Sequence, residues 1–272
     1  MYNVDTKKGL RMEHLLEYYK NYDEDSRLLS QHGQVEYITT QKYIHEYLAG
    51  DKHEKILELG AGTGRYSVPL AKEGYNVTSM DISAHNLGIL RKKLCGNEAI
   101  HVIQGNALDL SIFPDNTYDI TLVLGPMYHM HSNSNKVRTL MEAVRVTKPS
   151  GHIFVAYCMN EATVIDYVFK KGNLHEALGE EKLSPDWHCI SKQKDVFSHV
   201  RTEDIARLDS CLDAKRLKLV ATDGATNYMR DMIDALSKED FEKWVEFHLS
   251  TCERQDLVGA AHHTLDILQK DA

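Results

Sequence analysis

The residues Lys55-Ile56-Leu57-Glu58-Leu59-Gly60-Ala61-Gly62-Thr63-Gly64-Arg65-Tyr66-Ser67 limit the possible folds of this chain more than any other stretch. Ile56, Leu57 and Leu59 form the apolar run of a strand buried on both faces, as in a parallel sheet. Gly60, Gly62 and Gly64 end that strand, letting the chain turn sharply and bring bare backbone close to a ligand. The helix that follows points its first unpaired N–H groups into the same space. About twenty residues on, Val77-Thr78-Ser79-Met80-Asp81 reads as a second strand ending in a carboxylate. This is the layout of a cofactor site on a βαβ unit, with the acid placed for a ribose hydroxyl; the alternative is a tight strand–helix turn with no ligand.

Spacing separates the cofactor classes that use this layout. A dinucleotide fingerprint has glycine at its first, third and sixth positions. Counted from Gly60, the sixth residue is Arg65, a long side chain where a helix must lie close on a strand. The pattern present is Glu58-x-Gly60-x-Gly62-x-Gly64, which resembles the first motif of the class I S-adenosylmethionine-dependent methyltransferases. The resemblance is good from Lys55 to Tyr157 and holds only in general layout elsewhere. It implies that Glu58, Gly60, Ala61, Gly62 and Gly64 wrap the methionine end of S-adenosyl-L-methionine. Asp81 and Ile82 would then meet the ribose.

The rest of the core keeps a regular rhythm. Leu87, Ile89, Leu90 and Leu94 line a helix, and Ala99 to Gln104 reads as a third strand. Tyr118 to Leu124 is a fourth, strongly β-prone strand, stopped by Gly125-Pro126. Val137 to Val146 reads as a helix and Gly151 to Tyr157 as a fifth strand. Strands alternating with helices predict an α/β, doubly wound, mostly parallel sheet with helices on both faces. Leu217 to Asp223 and His262 to Gln269 read as two further strands. A long helix between them carries Phe241, Trp244, Val245, Phe247 and Leu249. By the resemblance the last strand is antiparallel and completes seven. The resemblance also puts an acid after the third strand, facing adenine. Here Asn106, followed by Ala107, stands in that place, and its amide oxygen accepts without charge. The resemblance likewise places Leu124, at the end of the fourth strand, beside the sulfonium.

The N-terminal residues 1–50 read as a helical cap. Met12, Leu15, Leu16, Tyr18 and Tyr19 recur at helical spacing, and Gly33 interrupts before a second helix through Val35, Ile38, Tyr43, Ile44, Tyr47 and Leu48. In the family resembled, such helices fold over the cofactor. Tyr22, Arg27 and His32 are the candidates to point inward, Tyr22 and Arg27 toward the cofactor. Residues 158–215 read as a helical lid insertion, with Thr202 as a helix cap. Residues 51–157 form the cofactor-binding core, residues 216–272 carry the last two strands and a helix, and the whole reads as one domain.

Methyl transfer needs donor and nucleophile aligned and water excluded. A hydroxyl or protonated amine acceptor also needs a base. His129, in Pro126-Met127-Tyr128-His129, is best placed for that role, and Tyr128 to shape the pocket or bond the acceptor. The alternative is that Tyr128 packs on the adenosine and His129 faces solvent. The net charge of -8 and pI near 6.0 disfavour bare nucleic acid as the main partner. A small-molecule acceptor is therefore the expectation. RNA or protein methylation, or binding of the cofactor without turnover, stays open. An apolar run of about eighteen residues is missing, so no membrane span is expected. Met1-Tyr2-Asn3-Val4-Asp5 lacks a signal-peptide core. Five scattered cysteines without a C-x-x-C pair suggest neither disulfides nor zinc, and a cytoplasmic setting. Neither the His129/His131 nor the His262/His263 pair has metal-binding helical spacing, so no metal is expected.

Overall fold

In the computed structural model, residues 6–192 and 195–272 are described, the side chains of residues 6–13 excepted. The Met1–Asp5 segment and the side chain of Met12, both read above, lie outside what is described. Two helices, α1 (Thr6–Asn21) and α2 (Gln31–Tyr47), precede the sheet. The first half of the core runs β1 (Lys55–Leu59), α3 (Ser67–Lys72), β2 (Asn76–Asp81), α4 (Ala84–Lys92) and β3 (Ile100–Gln104). The second half runs β4 (Tyr118–Val123), a 3-10 turn (Pro126–His129), α5 (Asn133–Val146) and β5 (Thr147–Cys158). After β5 come α6 (Asn160–Thr163), a π-helical stretch (Val164–Lys170), α7 (Leu174–Gly179) and α8 (Thr202–Asp209). The chain closes with β6 (Ala214–Ala221), a 3-10 turn (Thr226–Met229), α9 (Arg230–Asp234), α10 (Lys238–Thr251), α11 (Gln255–Val258) and β7 (His263–Lys270).

The seven strands lie in the order β3-β2-β1-β4-β5-β7-β6. All pairings from β3 to β5 are parallel, and β7 runs antiparallel to β5 and β6. The alternation of β1 explains why both faces are covered. Leu57 and Leu59 point to a core closed by α5 and α8, through Leu140, Ala143, Ile205 and Leu208. Ile56 points to the opposite core with Leu70, Ile120, Leu122, Tyr43 and Ile44. Each such fully buried side chain contributes about 1.5–3 kcal/mol of transfer free energy. Because β1 and β4 are central neighbours, the loops after them face the same crevice at the carboxyl edge.

Two local readings are corrected. Gly33 does not interrupt a helix; it lies in the first turn of α2, whose N-cap Ser30 accepts the Gly33 N–H. A Cβ at Gly33 would sit 2.6 Å from the Arg27 carbonyl, so glycine lets the preceding turn fold against the helix. Thr202 is the first helical residue of α8, not its cap; Asp204 Oδ2 accepts the Arg201 N–H at 2.7 Å and anchors the start. The long helix α10 leaves Phe247 55% exposed, while His248 beside it is buried. Among the described residues no helix is long and apolar enough to cross a membrane.

Candidate active site

The glycine loop and the end of β2 are stitched together by backbone. The N–H groups of Gly60 and Ala61 both donate to the Met80 carbonyl, at 2.8 and 3.0 Å. Asp81 Oδ2 accepts from Gly62 N at 2.8 Å and Oδ1 from Ser83 N at 2.7 Å. Burial raises the Asp81 carboxyl above its usual range, and the backbone donors at Ser83 and Gly62 oppose that. Gly62 has φ of +53°, and a Cβ there would meet only Glu24 Cγ, at 3.7 Å. The space above it is a cradle that a side chain would fill. Gly64 serves a different purpose: with φ of +81°, its missing Cβ would lie 2.7 Å from Leu90 and 2.8 Å from Val68. Close helix packing thus falls on Gly64, one residue before Arg65. The Arg65 side chain turns away instead, donating to the Leu28 carbonyl at 3.2 Å and lying 4.6 Å over the Tyr37 ring.

Glu58 departs from its expected place against the cofactor. It is buried beneath the loop, where the Ser67 hydroxyl donates to its carboxyl. Burial pushes its pKa up to about 8, against the Ser67 hydrogen bonds. It therefore ties the end of β1 to the start of α3. Asn106 Oδ1 already accepts the Leu108 N–H at 3.0 Å, closing a turn, which leaves it one further lone pair. Ala107 is buried in the core. The Ile82 carbonyl accepts from Gln104 at 3.1 Å. The Leu124 carbonyl accepts the Tyr128 hydroxyl at 3.0 Å.

The segment between α1 and α2 lies over this loop. Asp25 accepts from Thr63 Oγ1 at 2.8 Å and from Lys93 Nζ. Beside it opens a cavity of 510 Å³. Tyr22, Arg27 and His32, picked from the sequence, all line it, together with Tyr18, Tyr19, Glu24, Tyr128 and Phe197. The Tyr22 ring stacks on Tyr18 at 5.2 Å. Phe197 comes from the long insertion after β5, held there by Ser198 Oγ donating to the Met130 carbonyl at 2.8 Å.

His129 does not reach this cavity directly. Its Nδ1 lies 2.9 Å from the Val196 carbonyl, and its Nε2 lies 2.7 Å from the Tyr19 hydroxyl. A carbonyl can only accept, so in the neutral ring Nδ1 carries the proton and Nε2 accepts from Tyr19. Tyr19 lines the cavity, and His129 stands behind it. Burial first, then Tyr128, Glu24 and Tyr18, raise the Tyr19 phenol well above its ordinary range, so it stays protonated at neutral pH.

Sequence reasoning missed an ionic network in the cavity wall. The Arg27 guanidinium donates to both oxygens of Glu36, at 2.8 and 3.0 Å, and through Nε to Glu24 at 3.3 Å. His263 Nδ1 lies 2.7 Å from Asp223 and 3.4 Å from Glu36. Burial opposes charge on His263, yet Glu36, Cys158 and Asp223 together raise its pKa well above the usual value. Burial alone would raise Glu36, but Arg27 and His263 hold it below the usual carboxylate range. Glu36, Asp223 and His263 could by spacing surround a cation. The protonated imidazole and the guanidinium already balance these acids. No spacing in the sequence joins residues 36, 223 and 263; only the pairing of β7 with β6 and the packing of α2 do so.

The fold and the loop define the class I S-adenosylmethionine-dependent methyltransferase architecture. Residues 57–155 match the family model described as a methyltransferase domain. The chain is 32% identical over 136 residues to a demethylmenaquinone methyltransferase of Clavibacter sepedonicus, a match covering 49% of this chain and 52% of that one. The chain thus spans about half the length of this curated relative. A methyltransferase of Methanosarcina mazei titled as S-adenosylmethionine-dependent superposes with a TM-score of 0.57 at 18% identity, covering 84% of this chain and 97% of that one. One from Thermotoga maritima, titled a possible histamine N-methyltransferase, gives 0.57 at 17%, covering 95% and 99%. At such identities these two likenesses are of fold alone. Residues 57–155 of the chain thus match a methyltransferase domain, set in the fold that these solved methyltransferases share.

Proposed function

We propose that this protein transfers a methyl group from S-adenosylmethionine to a small-molecule acceptor held in the 510 Å³ cavity. The observation that carries this reading is the Tyr19–His129 hydrogen bond at the wall of a cavity whose Glu24 comes within 3.7 Å of a Cβ placed on Gly62. The cofactor supplies a methyl group activated by its sulfonium. The open cradle over Gly62 and the acid at Asp81 fit its binding, with Gly60, Ala61, Ile82 and the second lone pair of Asn106 Oδ1 as further contacts. Tyr19 takes the acceptor proton on its oxygen while passing its own to His129 Nε2. His129 Nδ1–H, fixed on the Val196 carbonyl, keeps the ring oriented to receive it. Tyr128, held by the Leu124 carbonyl, shapes the wall rather than moving a proton.

We further read the chain as one domain, with the segment after β5 contributing Phe197 to the acceptor wall. An acidic net charge supports a small acceptor over bare nucleic acid, and a cytoplasmic setting is part of the same proposal. Titration calorimetry with S-adenosylhomocysteine and with NAD tests the cofactor class. A radiolabelled methyl-transfer screen over metabolite pools tests turnover. Tight binding of NAD, or cofactor binding without transfer to any small molecule, would overturn the proposal.

A further inference from the structure

The basic side chains around the cavity are not equivalent. Arg27 is bound to Glu24 and Glu36, His263 to Asp223, and His32 to Asp234 at 2.7 Å. Arg230 also lines the cavity, and among the described residues no carboxylate pairs with it. It is nevertheless fixed in place. Its Nε donates to Asn227 Oδ1 at 3.0 Å, and Asn227 is itself anchored by donating through Nδ2 to the buried Asp223. The amide orientation is thereby set from both sides. Holding Nε leaves the two terminal nitrogens as a planar fork, the geometry that matches a carboxylate or phosphate.

The remaining wall argues the same way. Glu24, Arg27, Glu36 and His263 all face the cavity. A hydrocarbon chain laid against these groups would desolvate them without compensation. The space suits a small polar molecule and not a prenyl tail, although the curated relative from Clavibacter is titled for a menaquinone precursor.

We propose that the methyl acceptor carries an anionic group, a carboxylate or a phosphate monoester, that docks on the terminal nitrogens of Arg230. Arg230 is then the specificity residue of the site, and Asn227 its positioning residue. This rests on the reading that the cavity receives the acceptor. A bidentate anion at Arg230 fixes one end of the acceptor and leaves the other to meet Tyr19 across the cavity.

The test separates anion binding from turnover. Protein loaded with S-adenosylhomocysteine is titrated with inorganic phosphate, followed by 31P line broadening, and with 13C-labelled acetate, followed by 13C broadening, at constant ionic strength. Saturable broadening is expected with at least one anion, and the tighter of the two assigns the phosphate or the carboxylate. Arg230→Gln should weaken it by about tenfold or more, and Arg230→Lys by less, since an ammonium keeps charge without the fork. Calorimetry with S-adenosylhomocysteine checks that each variant is folded. Absence of saturable broadening in the wild type, or equal broadening in Arg230→Gln, overturns the proposal. A methyl-transfer screen on pairs of free acids and their neutral esters gives the second arm. If neutral members are methylated as well as acids, with KM indifferent to Arg230→Gln, methyl transfer stands and the Arg230 assignment falls. If the anion site behaves as expected but nothing is methylated, the anion site stands and the methyl-transfer reading falls.

Discussion

Asp81 Oδ2 accepts the backbone N–H of Gly62 at 2.8 Å, so the last side chain of β2 and the middle of the glycine loop form one unit. Substituting Asp81 should therefore disturb the loop as well as remove a ribose contact. Asp81→Ala is expected to lower affinity for S-adenosylhomocysteine by about 2–3 kcal/mol, the scale of a charged hydrogen bond left unmade. Calorimetry showing wild-type affinity would take Asp81 out of the cofactor site.

Two glycines of one loop should fail in different ways. Gly62 has open space above it, so Gly62→Val should abolish cofactor binding while the protein still folds, with some strain from its positive φ. Gly64→Ala forces a methyl to 2.7 Å from Leu90 and should lower thermal stability by about 1–3 kcal/mol through overpacking. Melting curves and calorimetry on both variants read the difference. Equal effects on stability would show that Gly62 is not at a ligand cradle.

Tyr19 and His129 are expected to behave as one catalytic device. Tyr19→Phe and His129→Ala should each reduce turnover about a hundredfold, with cofactor affinity little changed. The double variant should lose little beyond either single one, because each removes the same proton path. The acid limb of the pH–rate profile should vanish in His129→Ala. Additive losses in the double variant would argue for two independent roles, and full activity of His129→Ala on a hydroxyl acceptor would remove the dyad from the mechanism.

Arg27 holds Glu36 with two hydrogen bonds in a largely enclosed site. Arg27→Ala should cost about 1.5–3 kcal/mol of stability, since it strands a carboxylate that was charge-paired. Adding Glu36→Gln should restore much of that loss by removing the stranded charge. Chemical denaturation of the single and double variants measures both steps, and absence of rescue would refute the pairing.

Stability should fall on the acid side through His199 and His262, two partly buried histidines. Burial, with Lys136 next, lowers His199 to about 4, and burial likewise lowers His262 to about 4. An unfolded histidine titrates near 6.5, so between about 6.5 and 4 the unfolded chain binds more protons than the fold. The stabilisation is complete above about pH 6.5 and is lost as pH falls toward 4. Glu58, raised to about 8, runs oppositely: its stabilisation is complete below about 4.5 and lost as pH rises through 8. Replacing His199 by Gln should flatten the decline of the melting temperature between pH 6.5 and 4.5; an unchanged slope would mean that His199 is protonated in the fold.

The sheet was legible because burial on both faces leaves a periodic signature along consecutive residues. Ile56 and Leu57 point to opposite cores, and the chain must write both as apolar. Asp81 was legible because it ends a strand at a fixed distance from the turn. Tyr19 was visible only as an apolar position in a helix, since nothing local tells a core tyrosine from one aimed at a histidine 110 residues away. Glu58 misled for the opposite reason: its place in a motif suggested a ligand, while strand alternation turned it inward to Ser67.

The sequence by itself determined the βαβ frame, the glycine loop, the acid beside it and the polarity of the chain, all set by residues within a few turns of one another. Only the tertiary structure decided which side chains meet in and behind the cavity wall. Arg27, Glu36, Tyr19, His129, Asp223, Arg230 and His263 come from separate elements, and their meeting depends on strand order and helix docking. Those are set by cooperative burial of the whole core, which no short pattern of residues encodes.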